Sequence, residues 1–349
     1  MFPAIPARLS LALLCALACP LPAAANDGFS GLSATGLTFG RTDAVTMESE
    51  DLFIGLDRIR VAYTFRNTTD ADVTGEVIFP LPPISLQYLM SSDFNLPADR
   101  DNLVAFTATV AGRQVTPRID RIAVIEPPWV EGRPLARHYD SPGQDVTALL
   151  ARHGIPLTID TDEIAALLLA LPPETQAELK SEGVADFYEG DPAQGFPPEA
   201  WPLWSVVIRY HWTQTFPAGA TLDVVHEYEN RPPGGLFGWQ HPPAEPWEKD
   251  YQALYCIDDA TSRAIAKRVA ATDGYGIAYN LAYVLRTANS WAGPIGDFRL
   301  TLDKGATQNV ISLCIDGIEK TGATTFEVRK KDFTPDRDLD ILIVTPPPG

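Results

Sequence analysis

The sequence has few cysteines, histidines and basic residues: 4 Cys, 5 His, and 27 Lys plus Arg against 45 Asp plus Glu. The resulting net charge of −18 repels phosphate backbones and argues against nucleic-acid binding. Long apolar runs are also missing. The longest in the body of the chain, residues 164–171, ends at Pro172-Pro173, well short of the roughly 20 residues that a bilayer-spanning helix needs. We therefore expect no transmembrane segment.

The N-terminus contains the three parts of a secretory signal. Arg8 supplies the positive charge, residues 9–19 form a short apolar stretch, and Ala23-Ala24-Ala25 supplies the small residues before a cleavage site. We predict a signal peptide over residues 1–25, cleaved after Ala25, and a periplasmic or secreted mature protein. The alternatives are an uncleaved N-terminal anchor and lipid attachment at Cys19.

Only Cys256 and Cys314 remain once the signal is removed. In an oxidising compartment an isolated pair of cysteines is most simply a disulfide. A zinc site is the alternative, but the neighbouring ligand candidates are Asp258 and Asp316, with no histidine close in sequence. We predict a disulfide between Cys256 and Cys314, which leaves no thiol for nucleophilic catalysis.

Alternating apolar residues dominate the mature chain. Residues 52–65 place Ile59, Val61, Tyr63 and Phe65 on one face, and the chain returns over residues 73–79 after a turn cluster. A second strand, turn and strand occupy residues 204–228. We interpret both units as hairpins. Short strands separated by Gly and Pro turns predict a mostly β fold made of two β-sandwich-like domains.

Helix-forming residues are concentrated between residues 141 and 200, which predicts an α-helical insertion in the first domain. A Pro- and Gly-rich stretch later in the chain indicates a linker or long loop. The predicted organisation is a signal peptide (1–25), an N-terminal β domain (26–230) with the insertion at about 141–200, a linker or loop (231–247), a C-terminal β domain (248–345) and a tail (346–349).

Several segments resemble a secreted bacterial family known only as domain of unknown function 4424. They are Asn26-Asp27 and residues 36–39 (GLTF), 47–53 (MESEDLF), 77–82 (VIFPLP), 212–219 (WTQTFPAG), 291–300 (WAGPIGDFRL), 303–305 (DKG) and 312–314 (SLC). Residues 61–82 also resemble, more locally, a strand pair of vault-protein and inter-alpha-trypsin-inhibitor-type domains. The family resemblance implies a bacterial envelope protein and brings no catalytic residues.

Two motifs resemble metal sites without completing them. His226-Glu227 is followed by Asn230 where a zinc protease has its second histidine, and the segment alternates like a strand, so we expect His226 to be a solvated strand residue. Asp336, Asp338 and Asp340 have calcium-loop spacing but lack the glycine that should follow. We predict no catalytic residue, no metal site and no cofactor.

The weak candidates for binding are the aromatic loop residues Trp239, His241, Trp247 and Trp291, which could stack on sugars or anchor a protein partner. The alternative, which we favour, is that they are buried at sandwich edges or at the domain junction. We expect an exported, non-catalytic binding or envelope-assembly component whose partner is another envelope protein or a glycan. The alternative function is a carboxylate-dependent hydrolase acting on envelope glycans or peptides.

Overall fold

A computed structural model describes residues 33–35, 38–39, 42–81, 83–91, 96–128, 143–191, 193–271 and 274–346. The predicted signal peptide and its cleavage site lie outside these ranges. Within them, none of the helices combines the length and the apolar character needed to cross a membrane.

Strands are the main secondary structure, so the predicted mostly β fold is confirmed. Their bounds are Ser33–Thr35 (β1), Thr38–Phe39 (β2), Val45–Ile54 (β3), Arg58–Asn67 (β4), Val73–Pro80 (β5), Ile84–Ser85 (β6), Thr107–Val110 (β7), Arg113–Val115 (β8), Arg118–Ile125 (β9), Gln144–Asp145 (β10), Ala185–Tyr188 (β11), Glu199–Pro202 (β12), Ser205–Phe216 (β13), Thr221–Glu229 (β14), Gly234–Phe237 (β15), Gly276–Val284 (β16), Ile295–Asp303 (β17), Val310–Leu313 (β18), Glu319–Lys320 (β19), Thr325–Phe333 (β20) and Leu339–Thr345 (β21).

The described α-helices are fewer than the strands and lie in three places. They are Leu86–Ser91 (α1), Thr147–Arg152 (α2), Thr161–Ala170 (α3), Pro173–Ser181 (α4), Pro246–Leu254 (α5) and Asp259–Ala270 (α6). Helices α2 to α4 fall inside the predicted insertion, which also contains the strand pair β11–β12. The N-cap of α3 is Asp160, whose carboxylate accepts the N–H of Glu163.

Most strands belong to three sheets. The large sheet has eight strands in the order β19-β20-β17-β3-β4-β14-β7-β8. The second sheet has the order β10-β9-β13-β5-β2 with β6 beside β13, and the third has the order β1-β16-β21-β18 with β15 beside β16. Alternation produces the predicted buried face on β4, where Ile59, Val61, Tyr63 and Phe65 are all buried.

The two predicted hairpins are wrong as pairings, although their strands are present. Strand β4 pairs with β3 and β14, whereas β5 pairs with β13 in the second sheet. The two turns therefore carry the chain between sheets, as at the corners of a sandwich. They also bind each other, because the Asn67 N–H donates to the Ala220 carbonyl at 3.0 Å and the Gly219 N–H to the Thr69 carbonyl at 2.9 Å.

The large sheet joins the two predicted domains. Strand β3, from the first, pairs in parallel with β17, from the second, with Asp297 opposite Ser49 and Leu302 opposite Ile54. One continuous hydrophobic core also contains residues from both. The boundaries at 230 and 248 thus separate strands that share a sheet, and the division into domains stays a prediction.

A second, smaller core lies on the opposite face of the third sheet, under helices α5 and α6. Strand β21 is buried on both faces for this reason: Ile341 and Ile343 face the main core, while Leu342 and Val344 face the helices. The segment 231–247, predicted as a linker or long loop, contains β15 and the start of α5. Beside it, the buried Glu248 carboxylate accepts the main-chain N–H groups of Gln240, Ala244 and Glu245 and fixes the segment on the helix.

Candidate functional site

An open pocket of about 500 Å³ lies between helix α6 and the chain segment 304–311. Three cationic residues line it, Lys267 and Arg268 from the helix and Lys304 from the segment. Hydroxyl and amide groups come from Thr261, Thr307, Gln308 and Asn309, and the apolar part of the lining consists of Ala264, Ala271, Val310, Ile311 and Phe326. The described lining contains no Asp, Glu, His or Cys.

Helical periodicity explains why α6 has one face in the pocket. The helix begins where the Asp258 carboxylate accepts the Thr261 N–H. Its Ile265 and Val269 side chains pack into the second core. Residues three to four positions apart share a helix face, so Ala264 and Lys267 lie together on the side away from that core.

Lys304 provides a fixed positive charge in the pocket. Its side chain is only 8% exposed, and the ammonium donates to the carbonyls of Thr307 and Asn309 at 2.9 and 2.5 Å. The Asn309 amide in turn donates to the Lys304 carbonyl at 2.6 Å. An ammonium has three N–H donors, so one is left after these two bonds. Burial lowers the pKa of Lys304, and the nearby charges of Lys320 and Arg268 lower it further.

The positive charges of Lys267 and Lys304 are not balanced by an acid among the described residues. Many other basic side chains of the protein lie beside carboxylates, as in the pairs Arg299–Glu327 and Lys180–Asp186, both at 2.7 Å. Across the part of the chain that the structure describes, neither Lys267 nor Lys304 forms an ion pair. The pocket is therefore a local excess of positive charge on a strongly acidic protein, and such a site attracts anions.

The predicted disulfide is present and joins the two walls of the pocket. Cys256 lies two residues before the α6 cap, and Cys314 follows directly after β18, with 5.0 Å between their Cα atoms. Next to it the Ser312 hydroxyl donates to the Tyr255 carbonyl at 2.9 Å. The helix and the strand are thus tied covalently and by a hydrogen bond at the same end of the pocket.

The aromatic candidates lie outside the described lining of this pocket. Trp239 is buried in the second core, where its indole N–H donates to the Ser262 hydroxyl at 3.1 Å. His241 contacts the same hydroxyl at 3.0 Å. Trp291 is buried in the main core, and only Trp247 is substantially open, at 43% exposure. The structure gathers Trp239, His241 and Trp247 around α5 and α6, and a binding role for them stays a prediction.

His226 is buried, so the expectation of a solvated residue is wrong. It lies on the inward face of β14, with its ring centroid 5.0 Å from Phe79 and 5.6 Å from Phe106. Burial lowers the pKa of His226 to about 3, because the surrounding aromatic core cannot solvate an imidazolium. Neither ring nitrogen has a hydrogen-bond partner among the described residues.

A buried carboxyl lies in the same core. Glu50 on β3 accepts a hydrogen bond from the Tyr283 hydroxyl at 3.4 Å, and that hydroxyl is 3.2 Å from the hydroxyl of Tyr63. Burial raises the pKa of Glu50 to about 8. A poorly solvated acid is one half of what the hydrolase alternative requires, but the described partner of Glu50 is a tyrosine rather than a second carboxylate.

The acidic motif at residues 336–340 has a structural role at Asp338, which is buried and accepts the main-chain N–H of Leu285 at 3.0 Å. Within the described ranges, no cluster of three or more His, Cys, Asp or Glu residues is arranged to hold a metal ion.

Sequence reasoning missed the basic pocket. Lys267-Arg268 and Lys304 lie far apart in sequence, and nothing in either segment indicates that they meet. Lys304 belongs to one of the family-like segments, but that resemblance carries no role for it.

Comparison with known proteins identifies the family. The sequence model described as "Domain of unknown function (DUF4424)" matches residues 25–342. The chain belongs to this family. No curated protein matches it. A solved structure from Legionella pneumophila, described as a "putative nutrient binding protein", is similar with a TM-score of 0.42 and 15% identity, over 89% of this chain and 70% of that one. This similarity is too low to support an inference about function.

Proposed function

We propose that this DUF4424 protein is an exported, non-catalytic binding component of the bacterial envelope that holds a small anionic ligand in the α6 pocket. The observation that carries the proposal is the pair of lysines, Lys267 and Lys304, without acidic partners in a pocket whose described lining has no acid. An anion entering the pocket would neutralise charges that the fold leaves unbalanced.

The size and chemistry of the pocket fit a small organic ligand. Its volume of about 500 Å³ lies within the range of roughly 300–1,000 Å³ that is common for small-molecule sites. The lining combines cationic and polar groups with apolar side chains, among them Phe326 and Val310. Such a surface can orient a ligand by its charged end and gain further affinity from its apolar end.

The lining supports binding rather than catalysis. A hydrolase acting by acyl or glycosyl transfer needs a carboxylate, an imidazole or an activated nucleophile next to the ligand. The described lining supplies ammonium, guanidinium, amide and hydroxyl groups instead. These groups bind and orient an anion, but at neutral pH none of them is a base.

Export rests on the N-terminal sequence and has a separate test. Protein recovered from the envelope should begin at Asn26 when its N-terminus is sequenced or its intact mass is measured. Recovery of a chain that retains Met1 would contradict export through a cleaved signal.

The anion site is tested by thermal unfolding of the purified protein with a panel of carboxylates and phosphates at constant ionic strength. At least one anion should raise Tm in a saturable way, because a ligand that binds only the folded state stabilises it. The substitution Lys267→Gln removes one pocket charge at an exposed position and should abolish most of the rise.

The matched control is Lys249→Gln, which removes the same charge from an exposed position on α5 outside the described pocket lining. It should leave the rise in Tm unchanged. A panel without any saturable effect, or equal losses in the two variants, would contradict an anion site on α6.

A further inference from the structure

We infer that the ligand is a phosphomonoester, with its tetrahedral dianionic head held between Lys304 and Lys267 and its organic part against Phe326 and Val310. This inference rests on the proposed function and specifies the class of ligand.

The number of unbalanced charges favours a dianion. Lys267 and Lys304 each bring one positive charge without an ion-pair partner in the described part of the chain, and they come from opposite walls of the pocket. A monocarboxylate would compensate only one of them. A phosphate ester carries a charge of about −1.5 to −2 at pH 7, which compensates both.

The hydrogen-bond donors favour a head with more than two oxygens. Within the described residues, the main-chain N–H groups of Thr307 and Gln308 have no hydrogen-bond partner, and Lys304 has one N–H left. The side chains of Thr261 and Gln308 add further donors to the lining. A phosphate offers three strongly accepting terminal oxygens, whereas a carboxylate offers two.

The Lys304 side of the site is already ordered before a ligand arrives. The ammonium is held by two carbonyls of its own loop, and the loop is closed by the bond from Asn309 to the Lys304 carbonyl. Gly305 adopts a φ of +82°, a conformation that most other residues avoid, which lets the chain turn directly after the lysine. A preformed site loses less entropy when it binds.

The apolar part of the lining distinguishes an organic phosphate from the free ion. Phe326 from strand β20 and the neighbouring Val310 and Ile311 from strand β18 line the pocket. An inorganic phosphate would leave these side chains in contact with water, whereas an ester would cover them and gain the affinity of apolar burial.

Isothermal titration at pH 7.5 and constant ionic strength tests the inference with four probes: phenyl phosphate, inorganic phosphate, benzoate and succinate. Phenyl phosphate should bind most tightly, inorganic phosphate more weakly, and the two carboxylates at least tenfold more weakly than phenyl phosphate. Lowering the pH to 5.5 should weaken phenyl phosphate binding several-fold, because the second phosphate pKa is near 6.

Two variants test which pocket residue contacts the charged head of the ligand and which contacts its organic part. Lys267→Gln should reduce the affinity for phenyl phosphate about tenfold, and Lys249→Gln should leave it unchanged. Phe326→Leu should weaken phenyl phosphate several-fold and leave inorganic phosphate unaffected, because the change alters only the apolar part of the lining.

Benzoate or succinate binding as tightly as phenyl phosphate would overturn the phosphomonoester assignment while leaving the anion site intact. Absence of binding by all four probes would overturn both the assignment and the proposed function.

Discussion

The main core and the α6 pocket each hold ionisable side chains away from bulk water, but they treat those side chains differently. In the core, Glu50 accepts a hydrogen bond from the Tyr283 hydroxyl, and the His226 ring lies against the ring of Phe79. In the pocket, Lys304 is nearly as buried, but it lies beside an open cavity that Lys267 and Arg268 also line. A buried ionisable group is thus a binding candidate only where a ligand can reach it.

The difference is visible in the charge that each region carries at neutral pH. The raised pKa of Glu50 and the lowered pKa of His226 leave both of them uncharged, so neither adds an ion to the core. Lys304 stays beside Lys267 and Arg268 with its hydrogen bonds directed to carbonyls. Glu50 and His226 thus add no charge to the core, whereas the lysines add positive charge to the pocket.

The largest expected effect compares a tryptophan of the main core with one at the surface of helix α5, outside the described pocket lining. Trp291→Ala should destabilise the protein by roughly 3–5 kcal/mol, because the ring is buried against Phe65 with 4.2 Å between centroids. Trp247→Ala, in the outer aromatic group, should cost about 1 kcal/mol since the ring is half exposed. Urea unfolding of both variants measures the difference, and equal losses would show that the outer layer is packed as tightly as the core.

The next largest effect concerns the disulfide, which lies beside the α6 pocket and not in the main core. Replacing Cys256 and Cys314 together by Ser should lower the free energy of unfolding by about 2–4 kcal/mol, because the bridge closes a loop of 58 residues in the unfolded chain. Anion affinity should fall as well, since the two pocket walls are no longer tied.

Urea unfolding and isothermal titration of this double variant measure its stability and its anion affinity. A double variant with unchanged stability would mean that the bridge constrains little. Unchanged affinity alongside lower stability would mean that the hydrogen bond from Ser312 suffices to hold the walls together.

The pH dependence of stability tests the core. Glu50 stays protonated in the folded state up to about pH 8, while in the unfolded chain it ionises near 4.5. Rising pH therefore favours the unfolded state between these values, and stability should fall by about 2 kcal/mol between pH 6.5 and 8. In Glu50→Gln this fall should disappear. Urea midpoints across that range measure it, and a variant that retains the full slope would remove Glu50 as its cause.

The titration of His226 sets the lower limit of the pH range in which the effect of Glu50 on stability can be measured alone. Its pKa is about 3 in the folded state and 6.5 in the unfolded chain, so falling pH destabilises the protein between these values. Below pH 6.5 the effects of His226 and Glu50 oppose each other, and above pH 6.5 only that of Glu50 remains. The measurement is therefore confined to pH 6.5–8.

Local patterns in the sequence predicted the elements well and their pairing poorly. Alternation identified β4 and its buried face. Alternation says nothing about which strand is the neighbour, so the turn after β4 was taken for a hairpin although it crosses between sheets. The parallel pairing of β3 with β17 joins residues about 250 positions apart, and no local signal encodes it.

The disulfide was predictable and the pocket was not, for a related reason. Two cysteines remain outside the predicted signal peptide and have only each other as partners, so pairing Cys256 with Cys314 required no knowledge of the fold. Lys267 and Lys304 are two of 27 basic residues, and their lack of acidic partners appears only once the fold brings α6 beside β18. His226 was misjudged because a polar residue on an alternating strand normally faces water.

The most direct test of the account is a crystal of the protein soaked with tungstate, a tetrahedral dianion that scatters anomalously. The account predicts an anomalous peak between α6 and the loop 304–309, within hydrogen-bond distance of Lys304 or Lys267, and no such peak in crystals of Lys267→Gln. Peaks confined to other surfaces, or the same peak undiminished in the variant, would contradict an anion site in this pocket.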